Sequence, residues 1–246
     1  MPQCKERGDM LGNYITIDGV SSRTLGLFCK QLPMWPVAVE SKNSITVGGR
    51  LDSLYQSANY YNDFQIDIEA VLIGFDMDPI IRYFTNGKQL VFSNIPDRYA
   101  VIRQLVAIDQ QRVGSGALEL RITLKCSPFK YKVSNPFLEF SESPSYFKTV
   151  GTIYSEPIIA AMECTSGFAM SLNGTVISTT GLTGDIFFDV PNRVVYQFVD
   201  GVRTVVQENV TGNIWDLLLV PSEDEFNELI FSGANNIQLK ANERWL

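Results

Sequence analysis

Histidine is absent from all 246 positions of the chain. With it goes the usual general base, the usual partner of a serine or cysteine nucleophile and the commonest metal ligand. Ser-His-Asp and Cys-His hydrolases, HExxH metalloproteases and histidine-bearing zinc sites are thereby excluded. Cysteine is scarce, and Cys4, Cys29, Cys126 and Cys164 form no CxxC pair, which suits neither a zinc ribbon nor a redox motif. A chain of this length needs no covalent staples, so free thiols of a reducing cytoplasm are expected. No run of about 18 apolar residues occurs, so no membrane span is expected. Lys5, Glu6, Arg7 and Asp9 stand where a secretion signal would carry its apolar stretch. Positive charge is in deficit as well. Lys and Arg number 20 against 27 Asp and Glu, a net −7, which argues against a protein that grips phosphate backbones. Charged residues make up 19 % of the chain and hydrophobic ones 45 %. The charged share is below the roughly 25 % of an ordinary soluble domain, which leaves charge-poor surface for assembly.

What the chain does contain is alternation with period two, the signature of strands with one buried face. Over residues 64–72, Phe64, Ile66, Ile68, Ala70 and Leu72 fall on one side, and Gln65, Asp67 and Glu69 on the other. Over residues 118–126, Leu118, Leu120, Ile122, Leu124 and Cys126 alternate with Glu119, Arg121, Thr123 and Lys125. Both read as antiparallel strands with one wet face. Further strands are expected at 13–17, 25–31, 44–47, 89–92 and 99–108. One helix interrupts them at residues 78–87, with Asp78 as cap, Pro79 in the first turn and Asn86-Gly87 as left-handed stop. Pro128, Pro136 and Pro144, with Ser141, Ser143 and Ser145, mark a boundary, which places one domain at 1–141 and another at 142–246. Beyond it the strands are short. Asn173-Gly174 and Asp200-Gly201 each separate two apolar runs, and both pairs suit the two positive φ angles of a type I′ hairpin turn. The fold class expected is mainly β, a sandwich-like N-terminal domain with one short helix followed by a C-terminal β-sandwich.

The search for chemistry yields little. Asp67 and Glu69 share a strand face like a glycosidase pair, but alternation already explains both as solvating residues. Glu223, Asp224, Glu225 and Glu228 form an acidic run without the DxDxDG spacing of a calcium loop. Gly48-Gly49-Arg50 lacks the GxxxxGK[ST] of a phosphate loop. The Asn-x-Thr triplets at Asn173 and Asn209 read as chance matches to the glycosylation sequon. Tyr55, Tyr60, Tyr61 and Phe64 cluster in a polar loop leading into a strand and would stack on sugars in a lectin or anchor an interface in an assembling protein. No residue is assigned to catalysis, to a cofactor or to a metal, and no enzymatic activity is expected.

Four fragments in order carry a resemblance: Asp18-Gly19-Val20-Ser21-Ser22 with Leu25-Gly26-Leu27, then Gly49-Arg50 with Leu54-Tyr55, then residues 87–93 with Pro96-Asp97-Arg98-Tyr99, then Cys126-Ser127-Pro128-Phe129-Lys130-Tyr131. In these the chain resembles the distal tail proteins of long, non-contractile-tailed bacteriophages of Gram-positive hosts, prophages included. The second half is similar to that family's galectin-like C-terminal domain. The likeness there runs through Gly151 to Pro157-Ile158, Leu172-Asn173-Gly174, Phe188-Asp189, Asp200-Gly201, Asn235-Asn236-Ile237 and Arg244-Trp245-Leu246. The chain departs from the family at Gly48-Gly49-Arg50-Leu51-Asp52, where a PGRDG loop is usual.

The resemblance implies a structural virion protein. Six copies would form a hub ring, with N-terminal domains around a channel, often with a β-hairpin reaching the neighbouring copy, and C-terminal domains outside. Implied partners are other copies of the chain, the major tail protein ring, the tail-associated fibre or lysin hub, and receptor-binding proteins of the baseplate. DNA would pass without specific binding, and no membrane is involved. The implied location is the virion tail tip, after assembly in the host bacterial cytoplasm. The alternative is a cell-wall carbohydrate-binding module, weakened because galectin-type sugar binding uses a histidine that this chain lacks.

Overall fold

The computed structural model describes residues 12–45, 54–222 and 224–246. Cys4, the charged residues 5–9, the Gly48-Gly49-Arg50 loop with Leu51 and Asp52, and Glu223 lie outside the described residues, as does part of the strand expected at 44–47. The chain divides into two compact units, one running to Val133 and including Leu246, the other Ser134–Trp245.

The strands of the first unit are β1 (Ile15–Ile17), β2 (Val20–Ser21), β3 (Leu27–Gln31), β4 (Glu40–Ile45), β5 (Leu54–Tyr61), β6 (Phe64–Ile73), β7 (Gln89–Phe92), β8 (Ile95–Arg112) and β9 (Ala117–Lys132), with helix α1 (Asp78–Tyr83) between β6 and β7. Seven of them form one antiparallel path, β2-β1-β7-β8-β9-β6-β3. Its outer strands meet, since Asn13 next to β1 donates to the Lys30 carbonyl of β3 at 3.2 Å. Inward residues of β1, β3, β6, β7 and β9 share one core. The sandwich-like layering expected from the sequence is thus produced by a single sheet that curls over itself. Register shifts along β8 near Ala100, Ile102 and Leu105 supply the bend.

β6 and β9 run opposed from Phe64 against Cys126 to Ile73 against Ala117. The five inward residues expected on each are all buried. α1 packs Ile80, Tyr83 and Phe84 into the same core. Its cap differs from expectation. Met77 is the capping residue and makes no side-chain bond, while Asp76 accepts from the Asp78 amide at 3.1 Å. Asp78 therefore lies inside the first turn, where its charge suits the helix dipole. Gly87, at φ +84°, instead turns the chain into β7 and donates to the Ile102 carbonyl at 2.7 Å.

The second unit holds β10 (Phe137–Phe140), β11 (Ser145–Phe147), β12 (Ile158–Cys164), β13 (Ala169–Leu172), β14 (Thr175–Thr179), β15 (Gly184–Asp189), β16 (Val194–Val199), β17 (Val202–Val205), β18 (Val210–Thr211), β19 (Asn227–Ser232) and β20 (Asn236–Lys240). They form a six-stranded sheet, β10-β20-β12-β15-β16-β17, and a five-stranded sheet, β11-β19-β13-β14-β18. The inner faces of both enclose a core that includes Phe168, Phe188, Ile186, Leu229 and Leu239. This is a two-sheet β-sandwich. Contacts divide the chain before the Ser141 expected from the sequence, because β10 pairs with β20 from Phe137 against Lys240 to Phe140 against Ile237. Both hairpin turns form as expected, with φ of +49° and +85° at Asn173-Gly174 and +51° and +78° at Asp200-Gly201. Gly212 carries a different constraint. At φ +111°, a Cβ there would sit 2.4 Å from the Val176 carbonyl oxygen.

Candidate functional site

The wet face of β6 and β9 is an ion-paired lattice. Arg121 donates to Asp67 at 2.7 Å and Thr123 donates to the same carboxylate at 2.6 Å. Those bonds, Thr123's first and Arg121's second, hold the Asp67 carboxyl below the usual carboxylate range. Lys125 faces Asp63 at 3.6 Å, and Lys30 pairs with Glu119. An open depression of about 300 Å³ along this face is lined by Glu69, Asp109, Glu119 and Arg121. Asp67 is consumed by its cation and hydroxyl partners, so it and Glu69 do not form an acid/base pair. Asp224 and Glu225 turn their amides toward the Ser222 hydroxyl at 3.1 and 2.8 Å, while Glu228 accepts from the Tyr146 hydroxyl at 2.9 Å. Among the described residues, no group of three or more His, Cys, Asp or Glu could hold a metal ion. No helix among them is long and apolar enough to cross a membrane.

The three described thiols, Cys29, Cys126 and Cys164, are free and buried. Burial pushes Cys29 up to about 11 and Cys126 and Cys164 to about 12, far from the thiolate a nucleophile needs.

Two surfaces remain. The first surrounds the segment between β3 and β4. Residues 32–39 cross the core as a strap rather than a strand. Leu32 and Ala38 are buried. Trp35 stacks on Phe92 with centroids 4.1 Å apart and meets Phe64 edge-on at 6.2 Å. Met34 (73 % exposed), Val37 (71 %) and Val39 (69 %) point the other way, into solvent. The strap leads into β4 and β5, which among the described residues pair only with each other. The aromatic cluster expected near here is split. Tyr60 is exposed, Phe64 is buried, Tyr61 meets Phe129 edge-on at 5.5 Å, and the Tyr55 side chain lies outside the described residues. The stretch read as a polar loop is β5 itself. Nearby, β8 pairs with β7 only as far as Val101. From Arg103 onward the edge of β8 opposite β9 carries no strand among the described residues.

The second surface is the outer face of the six-stranded sheet. Phe187 and Tyr196 oppose each other on β15 and β16 and stack at 5.1 Å, and Phe198 meets both edge-on at 5.5 and 5.6 Å. The Arg203 guanidinium lies 3.9 Å from the centre of the Tyr196 ring and 3.7 Å from Asp189. Asp189 also receives the Asn192 amide at 3.0 and 2.9 Å. Sequence reading missed this ridge, because Phe187 meets Tyr196 and Phe198 only through the pairing of β15 with β16.

The chain is thus a curled antiparallel sheet followed by a two-sheet sandwich. No family model and no curated protein matches the chain. Among solved structures it is similar to the Dit (gp 19.1) protein of SPP1, described as a paradigm of the hub adsorption apparatus in Gram-positive infecting phages. The TM-score is 0.71 over 95 % of this chain and 99 % of that one, at 15 % sequence identity. The resemblance carried by the motifs is thus matched at the level of the fold.

Proposed function

We propose that this chain is a distal tail protein, a non-enzymatic component of a phage tail whose copies close into a six-membered ring between the tail tube and the adhesion device. The observation that carries the reading is the strap with its two-stranded sheet. A hairpin of two strands is marginal by itself in water, and this one is approached by a segment showing Met34, Val37 and Val39 to solvent. Both features are satisfied by a second copy of the chain. The open β8 edge offers further backbone pairing, so the N-terminal domain builds the ring and the C-terminal sandwich stands outside it. The last tail-tube ring, a fibre or lysin hub and receptor-binding proteins would be its neighbours at the virion tail tip, with assembly in the host cytoplasm. DNA would pass a channel whose subunits each carry a net −7, without specific binding. Native mass spectrometry is expected to show about six times the mass of one chain, a closed ring being the usual form of a soluble homo-oligomer. A monomer at tens of micromolar would reject the ring.

A second reading, a cell-wall carbohydrate-binding module, is favoured by the ridge of Phe187, Tyr196 and Phe198 beside Arg203 and Asp189. Rings of this kind stack on the C–H faces of sugars, while guanidinium and carboxylate groups take the hydroxyls. Under this reading Phe198→Ala loses about two- to tenfold in retention on purified cell-wall polysaccharide, since stacking of this order is worth about 0.5–1.5 kcal/mol. Equal retention of the variant and the parent chain removes it.

A further inference from the structure

The strap over the N-terminal core is held from below by an unusual group. Lys130 lies on β9 and is only 3 % exposed. Its ammonium donates to the Pro36 carbonyl at 2.7 Å and sits 5.4 Å from the centre of the Phe64 ring on β6. Among the described residues, this is the one side-chain hydrogen bond between the strap and the sheet beneath it, and no carboxylate pairs with the ammonium. Arg98 on β8 also repels it, although its guanidinium lies 3.4 Å from Asp97. A buried cation with one carbonyl, one ring face and a like charge for neighbours is poorly compensated for the water it has lost.

We propose that Lys130 is a proton-controlled clamp, holding residues 32–39 on the sheet more firmly when its amine is neutral than when it is charged. Opening the strap returns the ammonium to water, whereas a neutral amine tolerates the apolar site and still donates N–H to Pro36. Desolvation, with the Arg98 charge second, lowers the Lys130 pKa from 10.5 to about 8. The sign follows from proton counting. Below pH 8 the group is charged in both closed and open states. Between 8 and 10.5 the open state binds more protons, so the closed strap gains stability as the pH rises. The clamp is a property of the single chain. Only its consequence rests on the ring reading: protonation would loosen the segment that presents Met34 and Val37 to a neighbouring copy.

Hydrogen–deuterium exchange of residues 32–39, corrected for intrinsic amide rates, tests the clamp. Protection is expected to rise about tenfold from pH 7 to pH 9, as two sites differing in this way require, and Lys130→Met should show no such rise. An equal rise in Lys130→Met, or none in the parent chain, overturns the proposal. If Lys130→Met does not fold, the parent chain labelled with ¹³C at lysine Cε decides: one lysine titrating near 8 supports the clamp, and all lysines titrating near 10.5 reject it. Native mass measured on the same samples keeps the two readings apart. A single chain with pH-dependent protection keeps the clamp and rejects the ring, and a ring without it does the reverse.

Discussion

If copies of the chain close into the proposed ring, aspartate at both positions 34 and 37 is expected to leave a folded single chain. Met34 and Val37 are about three-quarters exposed, so they contribute almost nothing to the stability of the isolated chain, and the thermal midpoint should fall only by what ring closure adds. In a ring they would be covered. Burying two such side chains is worth about 3–6 kcal/mol at each subunit boundary. A carboxylate in their place opposes association further, because its charge must shed water without a partner. Size-exclusion chromatography with light scattering should therefore report a roughly sixfold fall in mass at unchanged circular dichroism, for a ring of the symmetry proposed. A ring of unchanged mass would show that the strap is not where copies meet. A midpoint below that of the parent chain diluted to single chains would show that the two side chains serve the fold rather than the assembly.

Replacing Asn227 with leucine should weaken the second unit by at least about 4 kcal/mol, on the scale of about 1 kcal/mol for each of four buried hydrogen bonds lost plus a stranded donor. Asn227 is fully buried, and its amide is saturated. The oxygen accepts from the Asn173 side chain and from the Val220 amide, each at 2.8 Å. The nitrogen donates to the Thr149 hydroxyl at 3.2 Å and to the Val220 carbonyl at 3.1 Å. Leucine fills a similar volume but strands the Val220 N–H. Val220 O is spared, because Thr149 still donates to it at 3.0 Å. Urea denaturation of the second unit reads the loss. Gln238→Ala is the control, since it removes only an exposed bond to Glu139 at 3.2 Å and should change stability by less than about 0.5 kcal/mol. A loss below about 1 kcal/mol for the leucine variant would mean that water replaces the amide.

The buried faces of β6 and β9 were legible to the residue, and so were the turns at Asn173-Gly174 and Asp200-Gly201. Neither helix α1 nor the aromatic stretch before Phe64 went as cleanly. Asp78 has the right chemistry for a cap, but Met77 occupies that place. Tyr55, Tyr60, Tyr61 and Phe64 are neighbours in sequence, yet Phe64 begins a core strand and Tyr60 faces solvent. A count of polar neighbours cannot distinguish a loop from an exposed strand.

Period-two burial and positive φ depend on a residue and its immediate neighbours, and those the sequence determined by itself: the β class, the helix, the two hairpins and the want of any histidine chemistry. Strand order, the curl of the first sheet, the Phe187–Tyr196–Phe198 ridge, the saturation of Asn227 and the burial of Lys130 under Pro36 were decided by the tertiary structure. Each depends on how separate strands or segments come together, and some join groups far apart: Lys130 and Pro36 are 94 residues apart. The free energy that selects such partners is the burial of whole faces and the pairing of whole strands, which no local window contains.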